Sequence, residues 1–122
     1  MNEIIPRRIF DDAPAAWIFT TPQCLVLDAN RAAEAIFVRP LASFRNKPLR
    51  LLIALSDRAI FSSMSSNLFT FPFNSSRPLA IQPLKGEEID VIFRAALMRT
   101  PGGEPEFISW IFMEQIALPD LL

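Results

Sequence analysis

The sequence predicts an α+β domain: one antiparallel sheet with short helices packed on one face. Three observations carry that expectation. Short β-type runs open the chain and longer ones close it, while a helical period occupies the middle. The chain has 122 residues, 51% hydrophobic and 20% charged, enough for one domain with one real core. No internal repeat or low-complexity tract divides it.

Trp17 to Thr21 and Leu25 to Ala29 are bulky apolar runs separated at hairpin length by Thr21-Pro22-Gln23-Cys24. Asn30 then precedes Arg31 to Phe37, an alanine-rich stretch that reads as a helix with Asn30 as its N-cap. Glu34 stands one place too late for a capping box. Pro40 starts another helical turn through Phe44, and Asn46 suits a left-handed bend. Ser56 is the expected N-cap of the next helix, with Asp57 in its first turn. That helix carries Ile60, Phe61, Met64 and Leu68 on one face and ends at Pro72.

The last third is β again. Leu79 to Leu84 reads as a weak strand, which Pro78 and Pro83 push to a sheet edge. After the turn Lys85 to Glu88, the stretch Ile89 to Met98 alternates, with Ile89, Val91, Phe93, Ala95 and Leu97 on one face. A second turn, Thr100 to Gly103, leads to Phe107 to Met113, which is apolar on both faces. The expected count is five strands: two, then helices, then a meander of three.

Composition narrows the function. Twelve basic against thirteen acidic residues give a net charge of −1, against a non-specific nucleic-acid binder. There is no histidine, which removes imidazole bases, Ser-His and Cys-His nucleophiles and histidine-ligated haem. Three glycines allow no Gly-rich phosphate loop, and one cysteine, Cys24, allows no internal disulfide. Cys24 has no adjoining cation to activate it, and Glu87, Glu88 and Asp90 read as a solvated turn, so neither a redox nor a metal site is expected. No apolar run reaches membrane-span length, and Met1-Asn2-Glu3 carries no basic n-region, so a cytoplasmic domain with no membrane span is expected. A binding or interaction module is favoured over an enzyme.

Two blocks of sequence carry a family resemblance. The first runs without a gap from Ala13 through Trp17-Ile18-Phe19-Thr20-Thr21 and Leu25-Val26-Leu27-Asp28-Ala29-Asn30 to Phe37: strand, tight turn, strand, Asn, helix. The second runs from Lys85-Gly86 through Ile89–Met98 and Gly102-Gly103 to Met113-Glu114-Gln115-Ile116. With Leu41 to Ile53 matching the short helices between them, the chain resembles a PAS domain (sensory box) over roughly residues 9–116. It departs from the pattern at Thr21 and Cys24 in the first turn, at Val38 and Asn46 where glycines are usual, and at Glu114 where an Asp closes the domain.

The resemblance implies a sensory or regulatory domain of a signal-transduction protein, itself not an enzyme. It implies a covalently linked effector outside this chain, such as a histidine kinase or a GGDEF-type diguanylate cyclase, in two-component or cyclic-di-GMP signalling. The domain boundaries follow: residues 1–12 a flanking segment, 13–116 the PAS-like domain, 117–122 the start of a linker. Histidine-ligated haem and a cysteinyl-flavin adduct are unsupported, since histidine is absent and Cys24 lies in the first hairpin; the cofactor is otherwise unassigned. A ligand cavity between sheet and helices would be lined by Phe37, Leu52, Phe61, Met64, Val91, Phe93 and Ala95, residues that plain core packing explains as well. The serines at 62, 63, 65 and 66, with Asn67, could add polar groups there but read as a solvated face. Ile108, Trp110 and Phe112 share one face of the last strand, and Phe107, Ile111 and Met113 the other. One of these faces needs a cover, from residues 3–12 or from a second copy. A homodimer through Ile5, Ile9, Trp110 and Phe112 is the expectation. A structural dimerisation module with no ligand, and a small α+β enzyme of another family, are the alternatives.

Overall fold

The computed structural model of the chain describes residues 6–66, 73–74 and 78–115. Ile5, Asn67, Leu68, Pro72 and Ile116, together with residues 117–122, lie outside them. The helices are α1 (Arg7–Asp12), α2 (Arg31–Phe37) and α3 (Arg58–Ser65). The strands are β1 (Ala16–Thr20), β2 (Val26–Ala29), β3 (Phe73–Asn74), β4 (Leu79–Ile81), β5 (Ile89–Arg99) and β6 (Pro105–Glu114). Three 3-10 turns, Leu41–Ser43, Leu49–Leu52 and Leu55–Asp57, join α2 to α3.

The sheet is antiparallel throughout, in the order β2-β1-β6-β5. β3 and β4 share the outer edge of β5, β4 beside Ile89 to Val91 and β3 beside Arg94 and Ala95. The sheet is therefore five strands wide, and the two-residue β3 is the piece that periodicity did not foresee. β4 stops at Ile81, short of Leu84, because Pro83 has no N–H to continue a ladder.

Local chemistry explains most boundaries. Asn30 Oδ1 accepts from Ala33 N–H at 3.0 Å, the N-cap expected of it. The first turn closes as Thr21 N–H donates to Leu25 O and Cys24 N–H to Thr21 O, with Thr21 Oγ1 accepting from Leu25 N–H. The Thr21 hydroxyl thus closes the turn, and Cys24 takes a left-handed backbone at φ 67°. Asn46 bends at φ 64°, as its side chain allows. The start of α3 differs from expectation. Asp57, not Ser56, occupies the N-cap position, and no side chain caps it. Asp57 Oδ2 instead accepts from Ala80 N–H at 2.8 Å and ties the helix to β4.

The main core lies between the sheet and the helical layer, built from α2, α3, the 3-10 turns and the inward residues of β1, β2, β4, β5 and β6. A second, smaller cluster sits on the opposite sheet face, where Phe10 of α1 meets Phe19 and Phe107.

Candidate functional site

The inward residues of β5 decide what faces the helices. Directly paired residues in an antiparallel ladder share a face. Phe93 pairs with Phe112 and Ala95 with Trp110, so Trp110 and Phe112 point inward, the small Ala95 leaving room for the indole. Both are essentially fully buried in the main core. This corrects their expected place on a dimer face: no partner can reach them in the folded chain. Trp110 Nε1–H donates to the buried Thr20 Oγ1 at 2.9 Å, and that hydroxyl donates to Thr21 O. Nothing in the sequence pattern marked Thr20 as the indole's partner.

Phe37, Leu52, Phe61, Val91, Phe93 and Ala95 are brought together in this core, with exposures of 0–3%, and Met64 packs half-buried against it. Rings from the two walls meet there. Phe61 of α3 lies 5.4 Å from Trp110 and 5.9 Å from Phe93, and Phe37 of α2 lies 5.9 Å from Phe112. Within the sheet, Phe93 lies 5.7 Å from Trp110 and 5.8 Å from Phe112. The space between sheet and α3 is thus occupied by aromatic side chains at contact separation. Of the serines on α3, Ser65 and Ser66 donate back to the carbonyls of Ser62 and Ser63. Their polar groups serve the helix itself.

A separate concavity of about 990 Å³ opens beside α2. Its walls are Ala32, Ala35, Ile36 and Val38 of α2 and its C-cap, Phe112, Met113 and Glu114 of β6, and the loop from Pro83 to Glu88. Val38 stands on its rim with φ 52°, a left-handed conformation that β-branched residues rarely take.

The outer sheet face carries the second cluster. Phe10 lies 5.4 Å from Trp17 and 5.3 Å from Phe19, and Phe19 meets Phe107 edge-on at 5.3 Å. Trp17 Nε1–H donates to Ser109 Oγ at 2.9 Å, which holds the indole across β1 and β6. A register slip between Phe19 and Thr20 leaves Leu27 unpaired and sets Asp28 opposite Phe19 on this face. Arg7 bridges to the Asp28 carboxylate and to Asp11, and its guanidinium lies over the Phe10 ring. The Asp28 hydrogen bond holds the Arg7 guanidinium above its ordinary pKa, against the desolvation that opposes it. Arg31 adds a bridge to Asp12 at 3.5 Å. The N-terminal segment is thus one cover of this face, as the sequence allowed. Ile9, on the far side of α1, is 55% exposed, while Ile92, Ile111 and Met113 remain half-buried beyond the reach of Phe10's cluster. Ile5 lies outside the described residues.

Asn30 does more than cap. Its Oδ1 also accepts from Trp17 N–H at 2.9 Å, and its Nδ2–H donates to Ala15 O at 2.9 Å. Cys24 is half-buried, and burial pushes its thiol pKa up, away from reactivity. Among the described residues no three His, Cys, Asp or Glu side chains gather as a metal site.

This architecture, a five-strand-wide antiparallel sheet with short helices over one face, is that of a PAS domain, and the chain has that fold. No protein-family model matches the sequence, and no curated protein matches it. Solved structures do. The PAS domain of a protein from Colwellia psychrerythraea superposes with a TM-score of 0.79 at 14% identity, over 88% of this chain and 92% of that one. A PAS domain, in complex with ethanol, of a LuxR-family transcriptional regulator from Burkholderia thailandensis gives 0.71 at 17% identity, over 91% and 97%. A domain of a sensory box sensor histidine kinase/response regulator from Geobacter sulfurreducens gives 0.70 at 16% identity, over 86% and 88%.

Proposed function

We propose that this chain is a sensory and regulatory domain of a signal-transduction protein, without catalysis of its own, working through its outer sheet face and α1. The observation that carries the proposal is the half-finished cover on that face. Phe10 seals one end of it, while Ile92, Ile111 and Met113 stay half-buried on the sheet and Ile9 is exposed on α1, apolar positions suited to a second copy. A homodimer there would use Ile9, Ile111 and Met113 in place of the inward Trp110 and Phe112. A change in how α1 and the sheet face pack would bias a linked effector, a histidine kinase or a diguanylate cyclase. The similarity to a domain of a sensor histidine kinase/response regulator supports the kinase arrangement.

The ring contacts in the core favour the ligand-free form of this reading, a dimerisation module with a filled interior. A small ligand at Phe37, Leu52, Phe61, Met64, Val91, Phe93 and Ala95 would have to displace those rings. Native mass spectrometry tests both points. Two bare chains are expected, and Ile111→Lys is expected to give one. A monomer at micromolar concentration sinks the dimer. A mass excess lost on denaturation, with the species released, replaces the filled-core form with a ligand sensor.

A further inference from the structure

The helical layer, on the side of the sheet away from α1, holds a surface that the reading above does not use. From Ala35 to Ser56 the chain has no Asp or Glu and four basic residues, Arg39, Arg45, Lys47 and Arg50. The net charge of −1 therefore divides into +4 here and −5 elsewhere. Arg45, Lys47 and Arg50 are exposed, and among the described residues none of them takes part in an ion pair.

Leucines stand among these cations. In the 3-10 turn Leu49–Leu52, positions three apart eclipse, so Leu49 and Leu52 both point into the core. Arg50 and Leu51 are left outward, Leu51 at 41% exposure. Leu25 (37% exposed) is joined to this turn through its bridge with Pro48, while Lys47 O accepts from Val26 N–H. Leu55 begins the following 3-10 turn at 77% exposure. Arg58 binds the carbonyls of Ile53 and Leu51 and braces the two turns together. Backbone bonds and the Arg58 side chain thus tie together the segments that carry three leucine tips and three cations outside any ion pair.

We propose that this surface docks peripherally on an anionic lipid bilayer. The cations meet acidic headgroups, each contributing attraction within a Debye length of the membrane. The leucine tips enter the headgroup–acyl boundary, where apolar area is buried without a matching pocket. Leu55, at 77% exposure, belongs to neither apolar cluster of the folded chain, so its side chain is free to enter that boundary. No described helix is long and apolar enough to cross a membrane, so the contact is an interfacial one.

The test is co-sedimentation of the full chain with vesicles of phosphatidylcholine alone or with about one-third phosphatidylglycerol, at low and high salt. Binding only to the anionic vesicles, weakened by salt, is expected. Neutralising Arg45, Lys47 and Arg50 together to Gln should weaken partition roughly a hundredfold, at about fivefold per cation. Leu55→Ser should weaken it several-fold with the charges intact, whereas Arg99→Gln, at the turn end of β5, should leave it unchanged. All five positions are solvent-exposed, and equal melting temperatures will show that each variant folds. No partition onto anionic vesicles at low salt overturns the proposal, as does a triple variant that binds like the parent. Equal affinity for soluble polyglutamate, untouched by Leu55→Ser, would assign the surface to an acidic protein instead.

Discussion

Asn30 makes three side-chain hydrogen bonds at 0% exposure: it caps α2, holds the start of β1 through Trp17 N–H and anchors Ala15 O. A cap alone is worth about 1 kcal/mol. Asn30→Ala removes the cap and strands two further part-buried backbone groups, so a loss of about 2–4 kcal/mol is expected in urea unfolding. A loss near 1 kcal/mol would reduce Asn30 to a cap. Val38 has the opposite sign. It holds a left-handed C-cap at 45% exposure, where glycine carries no Cβ strain. Val38→Gly should therefore raise stability by about 0.5–1 kcal/mol, read as a higher melting temperature. The cap was legible in the sequence, because Asn before an alanine-rich run is a local signal. The bonds to Trp17 and Ala15 were not, since they join residues more than ten positions apart.

Among the elements, α1 is held by side chains rather than by its own length. Six residues without a side-chain cap are too few to be helical alone. The Arg7–Asp28 bridge and Phe10 in its aromatic cluster keep it on the sheet. Arg7 is half-exposed, so solvent screens its share, and Arg7→Ala should cost only about 1 kcal/mol. Its sharper readout is local: faster amide exchange in α1, with core strands unchanged. Uniform exchange rates in the two proteins would show that Phe10 alone holds the helix. The alternation of β5 named its inward residues correctly, since only one of its faces is continuously apolar. β6 is apolar on both, and parity alone cannot choose between them. Pairing with β5 chose, placing Trp110 beside Ala95.

At the scale of the molecule, the sheet separates three surfaces with different chemistry. The inner face is an aromatic core, the outer face is partly covered by α1, and the helical layer carries the unpaired cations. The dimer and membrane contacts proposed above lie on opposite sides, so each can be tested without disturbing the other. The charge asymmetry could be counted in the sequence, but an overall charge of −1 conceals it.

By itself, the sequence determined the order of the five longer strands and the helices between them, the hairpin, the capped helix, the PAS resemblance and the absence of histidine chemistry. These rest on local propensity, turn chemistry and composition, which act within a few residues. Tertiary structure alone decided which face of β6 is buried, where Asp28 points, and which leucines remain beside unpaired cations. Each depends on strand register and on packing between residues distant in the chain, which no local period encodes.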